Sequence, residues 1–177
     1  MDVVEQCKAN DRKAQMALYE RYCQGMFHVA MRFLHNADDA EDVVQEAFIK
    51  AFQKMGQYRG EVSIGAWIKK IVVHKSIDFL KSKKQQHVPL DETYMQVARE
   101  TDWEVDDQVT LDQVKWAMEQ LPEKYKYVVM MYLVEGLDHG EIAGILQISE
   151  TASRTRLLRG KEQLRKRLKK RNHGTGS

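Results

Sequence analysis

Apolar residues recur along most of the chain at intervals of three and four, the spacing of one helix face, and no stretch alternates long enough to make a strand. Ala14, Leu18, Tyr22, Val29 and Phe33 share one such face, and Asp11 stands in the capping position, which predicts a helix from Asp11 to about Leu34. Val43/Val44, Ala47/Phe48, Ala51/Phe52 and Met55 predict a second, opened by Asp38 or Asp39, with acids in its first turn facing the positive end of the helix dipole. Gly56 and Gly60 bracket a short loop, Gln57-Tyr58-Arg59. Ser63 caps a third helix through Ile64, Ile68, Ile71, Val72 and Phe79, which ends in the Lys81–Lys84 cluster.

Periodicity fails from His87 to about Val109, where Pro89 and a run of acids predict a linker. It resumes with Leu111, Val114, Met118 and Leu121. Pro122 suits the first position of the next helix, which carries Tyr125, Val128, Val129, Tyr132 and Leu133 and stops at Gly136. Asp138-x-x-Glu141 is a capping box for a short helix ending at Leu146, and Ser149 caps a last helix reaching Lys170, roughly 30 Å long. The expected fold is all-α: two small helical domains, 1–86 and 111–171, joined by an acidic flexible linker, 87–110, and followed by a tail, 172–177.

Composition then narrows the class. The 177 residues are 43% hydrophobic and 31% charged, a globular balance and not a disordered one. The longest apolar run, Tyr127 to Val134, falls far short of the ~20 residues a membrane helix needs, so no membrane insertion is expected. The start of the chain carries no signal-peptide pattern, and two cysteines, Cys7 and Cys23, without metal-ligand spacing fit a reducing cytoplasm. A net charge of +2 argues against a nucleic-acid partner until its distribution is followed. Asn36–Glu46 carries −5, Ala66–Gln86 +5, Asp91–Asp112 −7 and Ser149–Asn172 +8. Such blocks create local fields that the total conceals.

The sharpest local signal is a helix-turn-helix over Asp138 to Leu164. Ile142, Ala143 and Leu146 of its first helix pack across Ala152, Leu157 and Leu164 of the second, which projects its N-terminal side chains into a major groove. Thr151, Ser153, Arg154 and Thr155 suit base edges and nearby phosphates, and Arg156, Arg159 and Lys161 can neutralise backbone charge. A merely solvated basic face is the bland alternative, and the +8 block directly behind a capped turn speaks against it. A second basic surface with an aromatic, Tyr58, Arg59, Lys69, Lys70, His74 and Lys75, suits single-stranded DNA. Trp67 and Phe79 are assigned to the core, and Tyr58 is balanced between core and base stacking. The acids of Asp38–Glu46 suit a protein-binding surface better than a metal, since no histidine joins them. Neither a catalytic set nor a glycine-rich phosphate loop is present, so no enzyme and no cofactor are expected.

Two stretches resemble a known family. Asp39-Ala-Glu-Asp-Val-Val-Gln-Glu-Ala-Phe48, then Tyr58-Arg-Gly-Glu with Trp67 nine residues after Tyr58, resembles region 2 of sigma-70 initiation factors. Leu121-Pro-Glu, Glu141-Ile-Ala, Ile148-Ser-Glu and Arg154-Thr-Arg156-Leu with Arg159 resemble region 4. With both in order and a linker too short for a region 3 domain, the resemblance is to the extracytoplasmic-function (ECF) group.

That resemblance implies a promoter-specificity subunit of bacterial RNA polymerase. Asp39, Asp42, Gln45, Glu46 and Ile49 would dock on the clamp helices of the polymerase β′ subunit, and the Val128/Tyr132 side of the Pro122–Glu135 helix on the β flap. Lys54, Tyr58, Arg59, Lys70, His74 and Lys75 would capture the single-stranded −10 element, and the last helix would read the −35 element of promoter DNA. An anti-sigma factor is the further implied partner. A repressor or activator built on the helix-turn-helix alone is the rival from another class, and it leaves the Asp38–Glu46 surface and the Tyr58 loop without a task. Against the family pattern, His74 stands where Asn is frequent and Gln147 where Gly is frequent. A left-handed Gln147 would cost on the order of 1 kcal/mol. Gly65 and Gly140 replace side-chain-bearing residues near two helix starts, which predicts looser starts there.

Overall fold

The computed structural model describes residues 2–84 and 109–173, with side chains through residue 170. The expected acidic linker therefore lies almost wholly outside the described residues, as does the end of the tail. Among the described residues there are eight α-helices and no strand. They fall into two compact units, 1–89 and 90–177.

In the first unit, α1 (Val3–Lys8) leads into α2 (Arg12–Leu34), α3 (Ala37–Gln53), a single 3₁₀ turn (Met55–Gln57) and α4 (Ile64–Lys84). Asp11 caps α2, accepting from the backbone N–H groups of Lys13 and Ala14. The cap of α3 is Asn36 and not Asp38 or Asp39: its side chain accepts from the N–H of Asp39, which leaves both aspartates inside the first turn. Helix α1 escapes the periodicity because it is only six residues long; Asp2 caps it, and Cys7 is its one buried residue. Helices α2, α3 and α4 pack on one another around Leu18, Phe33, Val44, Phe48, Ile68, Val72 and Ile77. Fully buried Ala30, Ala40, Ala47 and Ala51 bring the helix backbones close. Gly65 does similar work, since a Cβ there would stand 2.7 Å from Cε1 of Tyr22. That glycine closes the α2–α4 contact where looseness was expected.

The second unit runs α5 (Leu111–Glu119), α6 (Glu123–Val129), a π turn (Met130–Val134), α7 (His139–Leu146) and α8 (Glu150–His173). Thr110 and Gln113 form a capping box on α5, and Asp138 and Glu141 form the expected one on α7. Pro122 precedes α6 as its cap residue, one position earlier than expected, with an extended ψ of 139°. Helix α8 is the spine, with α5, α6 and α7 packed against it. Leu157, Leu164 and Leu168 are its buried stripe. Its approach to α6 needs Gly160, because a Cβ there would collide with Cγ2 of Val129 and lie 3.4 Å from Cβ of Tyr125.

Gln147 ends α7 in the left-handed conformation, φ 56° and ψ 46°, which lets the chain turn back into α8. This conformation costs an L-residue roughly 1–2 kcal/mol and glycine almost nothing, while glycine loses more entropy on folding. Gln147→Gly is therefore expected to stabilise the unit by about 0.5–1 kcal/mol. A chemical denaturation midpoint that falls would show Gln147 making contacts that outweigh the strain.

Candidate functional site

On α8, Thr151 and Arg154 are exposed, whereas Ser153 is fully buried and Thr155 is 8% exposed. This corrects two of the expected base contacts. Ser153 faces α7, where its hydroxyl shares a 2.9 Å hydrogen bond with Nδ1 of His139, and Thr155 donates to the carbonyl of Thr151 one turn back. Arg156, Arg159 and Lys161 are half-buried along the flanks of the helix. Ser149 accepts from the N–H of Ala152 at 3.0 Å and so opens α8 as expected.

His139 joins three elements. Its ring stacks on Tyr132 of the π turn at 4.7 Å, and Nζ of Lys161 lies 5.9 Å from the centre of the Tyr132 ring. Burial lowers the His139 pKa, reinforced by the charges of Arg154 and Lys161 and opposed by Asp138 and Glu150. On the π turn, Tyr132, Leu133 and Val134 are 37%, 47% and 45% exposed, but Val128 is fully buried. Of the expected Val128/Tyr132 side only Tyr132 reaches solvent, next to exposed Leu133 and Val134.

In the first unit Asp42, Gln45, Glu46 and Ile49 lie on the exposed side of α3, with Ile49 58% exposed among polar neighbours. Asp39 departs from that set: its carboxylate is turned to α4 and pairs with Lys83 at 2.8 Å. Glu46 pairs with Lys75 at 3.4 Å, so one expected polymerase contact and one expected DNA contact hold each other. Lys54 and Arg59 are exposed, and Lys70 and His74 are half-buried. Burial is the main cause lowering the His74 pKa; Asp78 opposes it, 3.8 Å away, and Lys50, Lys81 and Lys54 add to it. Lys54 of the loop entrance and His74 of α4 therefore share one positive field.

Tyr58 is half-buried, its hydroxyl donating to the carbonyl of Val62 and its ring 5.5 Å from that of Trp67. Trp67 and Phe79, both expected in the core, are only half-buried. Trp67 backs Tyr58, and Phe79 lies under Lys83, whose Nζ is 4.6 Å from the ring centre. Two residues that pair with the expected set are absent from it: Lys83, which holds Asp39, and Glu150, which holds Arg154. In the sequence Lys83 is one lysine of a solvated helix end, and Glu150 is only a charge in a basic block. The spacing of Glu150 to Arg154, Glu at i and Arg at i+4, is the signal that could have found the second.

Both histidines titrate below the ordinary value of about 6.5. Near and below that pH the unfolded chain binds protons that the folded chain resists, so stability rises with pH there. The full contribution is present above pH ~6.5 and is lost as pH falls through that value towards the folded values. Unfolding at pH 7.5 and pH 5.5 is expected to show lower stability at the acid end, with the difference reduced in H74Q and H139Q. NMR titration of both imidazoles checks the direction independently.

Among the described residues no helix is long and apolar enough to cross a membrane, and no three His, Cys, Asp or Glu side chains gather as a metal site. Residues 18–86 match Sigma-70 region 2, and residues 111–164 match Sigma-70, region 4. The RNA polymerase sigma factor SigV of Bacillus subtilis is 32% identical over 149 residues, covering 83% of this chain and 86% of its own length. The ECF RNA polymerase sigma factor SigW of the same organism is 28% identical, covering 94% of this chain and 95% of its own length. The fold is similar to that of the sigma factor RpoE in complex with the anti-sigma factor NepR from Bartonella quintana. In that comparison the TM-score is 0.56 at 17% identity, covering 87% of this chain and 96% of that one.

The chain belongs to the sigma-70 family of RNA polymerase sigma factors. Regions 2 and 4 in succession, together with relatives of this kind along nearly the whole length, place it in the ECF group.

Proposed function

We propose that the two units divide promoter recognition between them and that core polymerase joins their work. Region 2 docks on the β′ clamp helices through Asp42, Gln45, Glu46 and Ile49. It takes up the single-stranded −10 element with Lys54, Tyr58, Arg59, Lys70, His74 and Lys75. Region 4 reads the −35 element in the major groove with Thr151 and Arg154, while Arg156, Arg159 and Lys161 neutralise phosphates. The β flap meets Tyr132, Leu133 and Val134. An anti-sigma factor is the fourth partner, a reading supported by the complex that the Bartonella protein forms with NepR. The subunit does no covalent chemistry of its own and acts in the cytoplasm, where polymerase is.

Segregation of exposed side chains supports this division most directly: α3 shows acids with one isoleucine, and α8 shows threonine and arginine behind a capped turn. Two weak DNA sites on a tether gain affinity only when their spacing is held, so the free chain is expected to bind promoter duplex weakly and the polymerase-bound chain strongly. Pull-down and in vitro transcription with purified core test this. Ile49→Asp is expected to reduce core retention at least tenfold, a loss of about 1.4 kcal/mol or more, with the fold intact because the residue is exposed. Undiminished retention would move the polymerase surface off α3. A repressor of the helix-turn-helix kind would neither retain core nor open a promoter.

A further inference from the structure

Helix α8 and its cap carry ten bases between Ser149 and Asn172 and only two acids, Glu150 and Glu162. Glu162 is taken up by Lys166 one turn on, at 2.8 Å. Glu150 pairs one turn on in the same way, but at the start of the helix. It is the first residue of α8, it neighbours exposed Thr151, and its side chain is 56% exposed. Its Oε2 accepts from Nη2 of Arg154 at 3.1 Å. The helix start does not need it as a cap, because Ser149 already serves the N–H of Ala152.

A carboxylate offered to DNA repels phosphate, so a surface selected for charge alone would exclude it. In the major groove the same carboxylate has a definite use: the N4 amino group of cytosine donates there, guanine O6 and thymine O4 only accept, and adenine sets its N6 donor beside an N7 acceptor that repels a carboxylate. We infer that Glu150 is a base-selecting residue, its carboxylate accepting from the N4 amino group of a cytosine while its partner Arg154 donates to O6 and N7 of a guanine. Their ion pair holds the two heads in register. Glu150 also acts by rejection, since a base edge that shows only acceptors gives no donor to the carboxylate oxygen that Arg154 does not hold. The inference rests on α8 being the −35 helix.

The test uses full-length chain bound to core polymerase and a template pool randomised across the −35 region, with transcripts sequenced for wild type, E150A, E150Q and R154A. Wild type is expected to prefer cytosine at one position and guanine at another. E150A loses the cytosine preference, roughly tenfold, and E150Q moves it towards adenine, the base whose N6 and N7 fit an amide. R154A loses the guanine preference. An E150A profile equal to wild type at every position, with R154A altered, would leave Glu150 a mere complement to the helix dipole and overturn the inference. If neither variant changes the profile, the assignment of α8 to the −35 element fails with it. A purely structural role would lower thermal stability and reduce transcription equally from all templates.

Discussion

Arg154→Ala is expected to lower initiation from −35-dependent promoters by roughly 10- to 100-fold, the loss of about 1–3 kcal/mol that one bidentate base contact supplies. Arg154 stands one turn into α8 with its side chain 56% exposed. Its ion pair with Glu150 is equally exposed and, at ~0–1 kcal/mol, holds the guanidinium without tying it down. Truncation removes no core contact, so stability is expected to change by less than about 0.5 kcal/mol. Retention of core polymerase stays at the wild-type level, because the proposed polymerase surfaces are on α3 and the π turn. Transcription from paired templates with and without a −35 element, alongside core pull-down, separates these outcomes. Loss of core retention would show α8 to be a polymerase surface.

Gly160→Val is expected to destabilise region 4 by about 1–3 kcal/mol, as overpacking in a filled core does. The missing side chain at 160 is occupied space: Val129 of α6 already stands where a Cβ would go, with the Tyr125 carbonyl oxygen 3.6 Å away. Relief would require α6 to back away from α8, and both helices belong to the same buried core. Gly144 is the internal control, an exposed glycine within α7 where an added Cβ would meet nothing inside 4 Å. Gly144→Ala is expected to stabilise by up to about 1 kcal/mol through helix propensity alone. Hydrogen exchange in α6 and α8 reads both changes within region 4. A neutral Gly160→Val would mean that α6 and α8 have freedom to separate.

Much of the architecture is legible in the sequence. Asp11, Ser63, Ser149 and the Asp138–Glu141 box cap helices where the periodic apolar pattern begins, since local capping chemistry and a 3.6-residue repeat need no distant partner. The left-handed Gln147 is anticipated only through the family resemblance, in which glycine is frequent at its place. Short α1 is not, because six residues carry too little periodicity to stand out. The π turn is hidden for another reason: residues 123–135 continue as one apolar helical run, and only packing decides that the backbone widens by one residue at Met130–Val134.

By itself the sequence determined the class of fold, the positions of the capped helices and the segregation of charge that cancels to +2. Tertiary structure alone decided which of those charges face outward. Ser153 and Thr155 sit among the bases of α8 yet both are buried: Ser153 lies on the packed face against His139 of α7, and Thr155, on nearly the opposite face, spends its hydroxyl on the Thr151 carbonyl. Asp39 and Glu46 belong to one acidic block, but α4 takes the first for Lys83 and the second for Lys75. Composition and spacing are properties of one strand of chain; exposure and pairing are properties of neighbours, and neighbours exist only once the helices have packed.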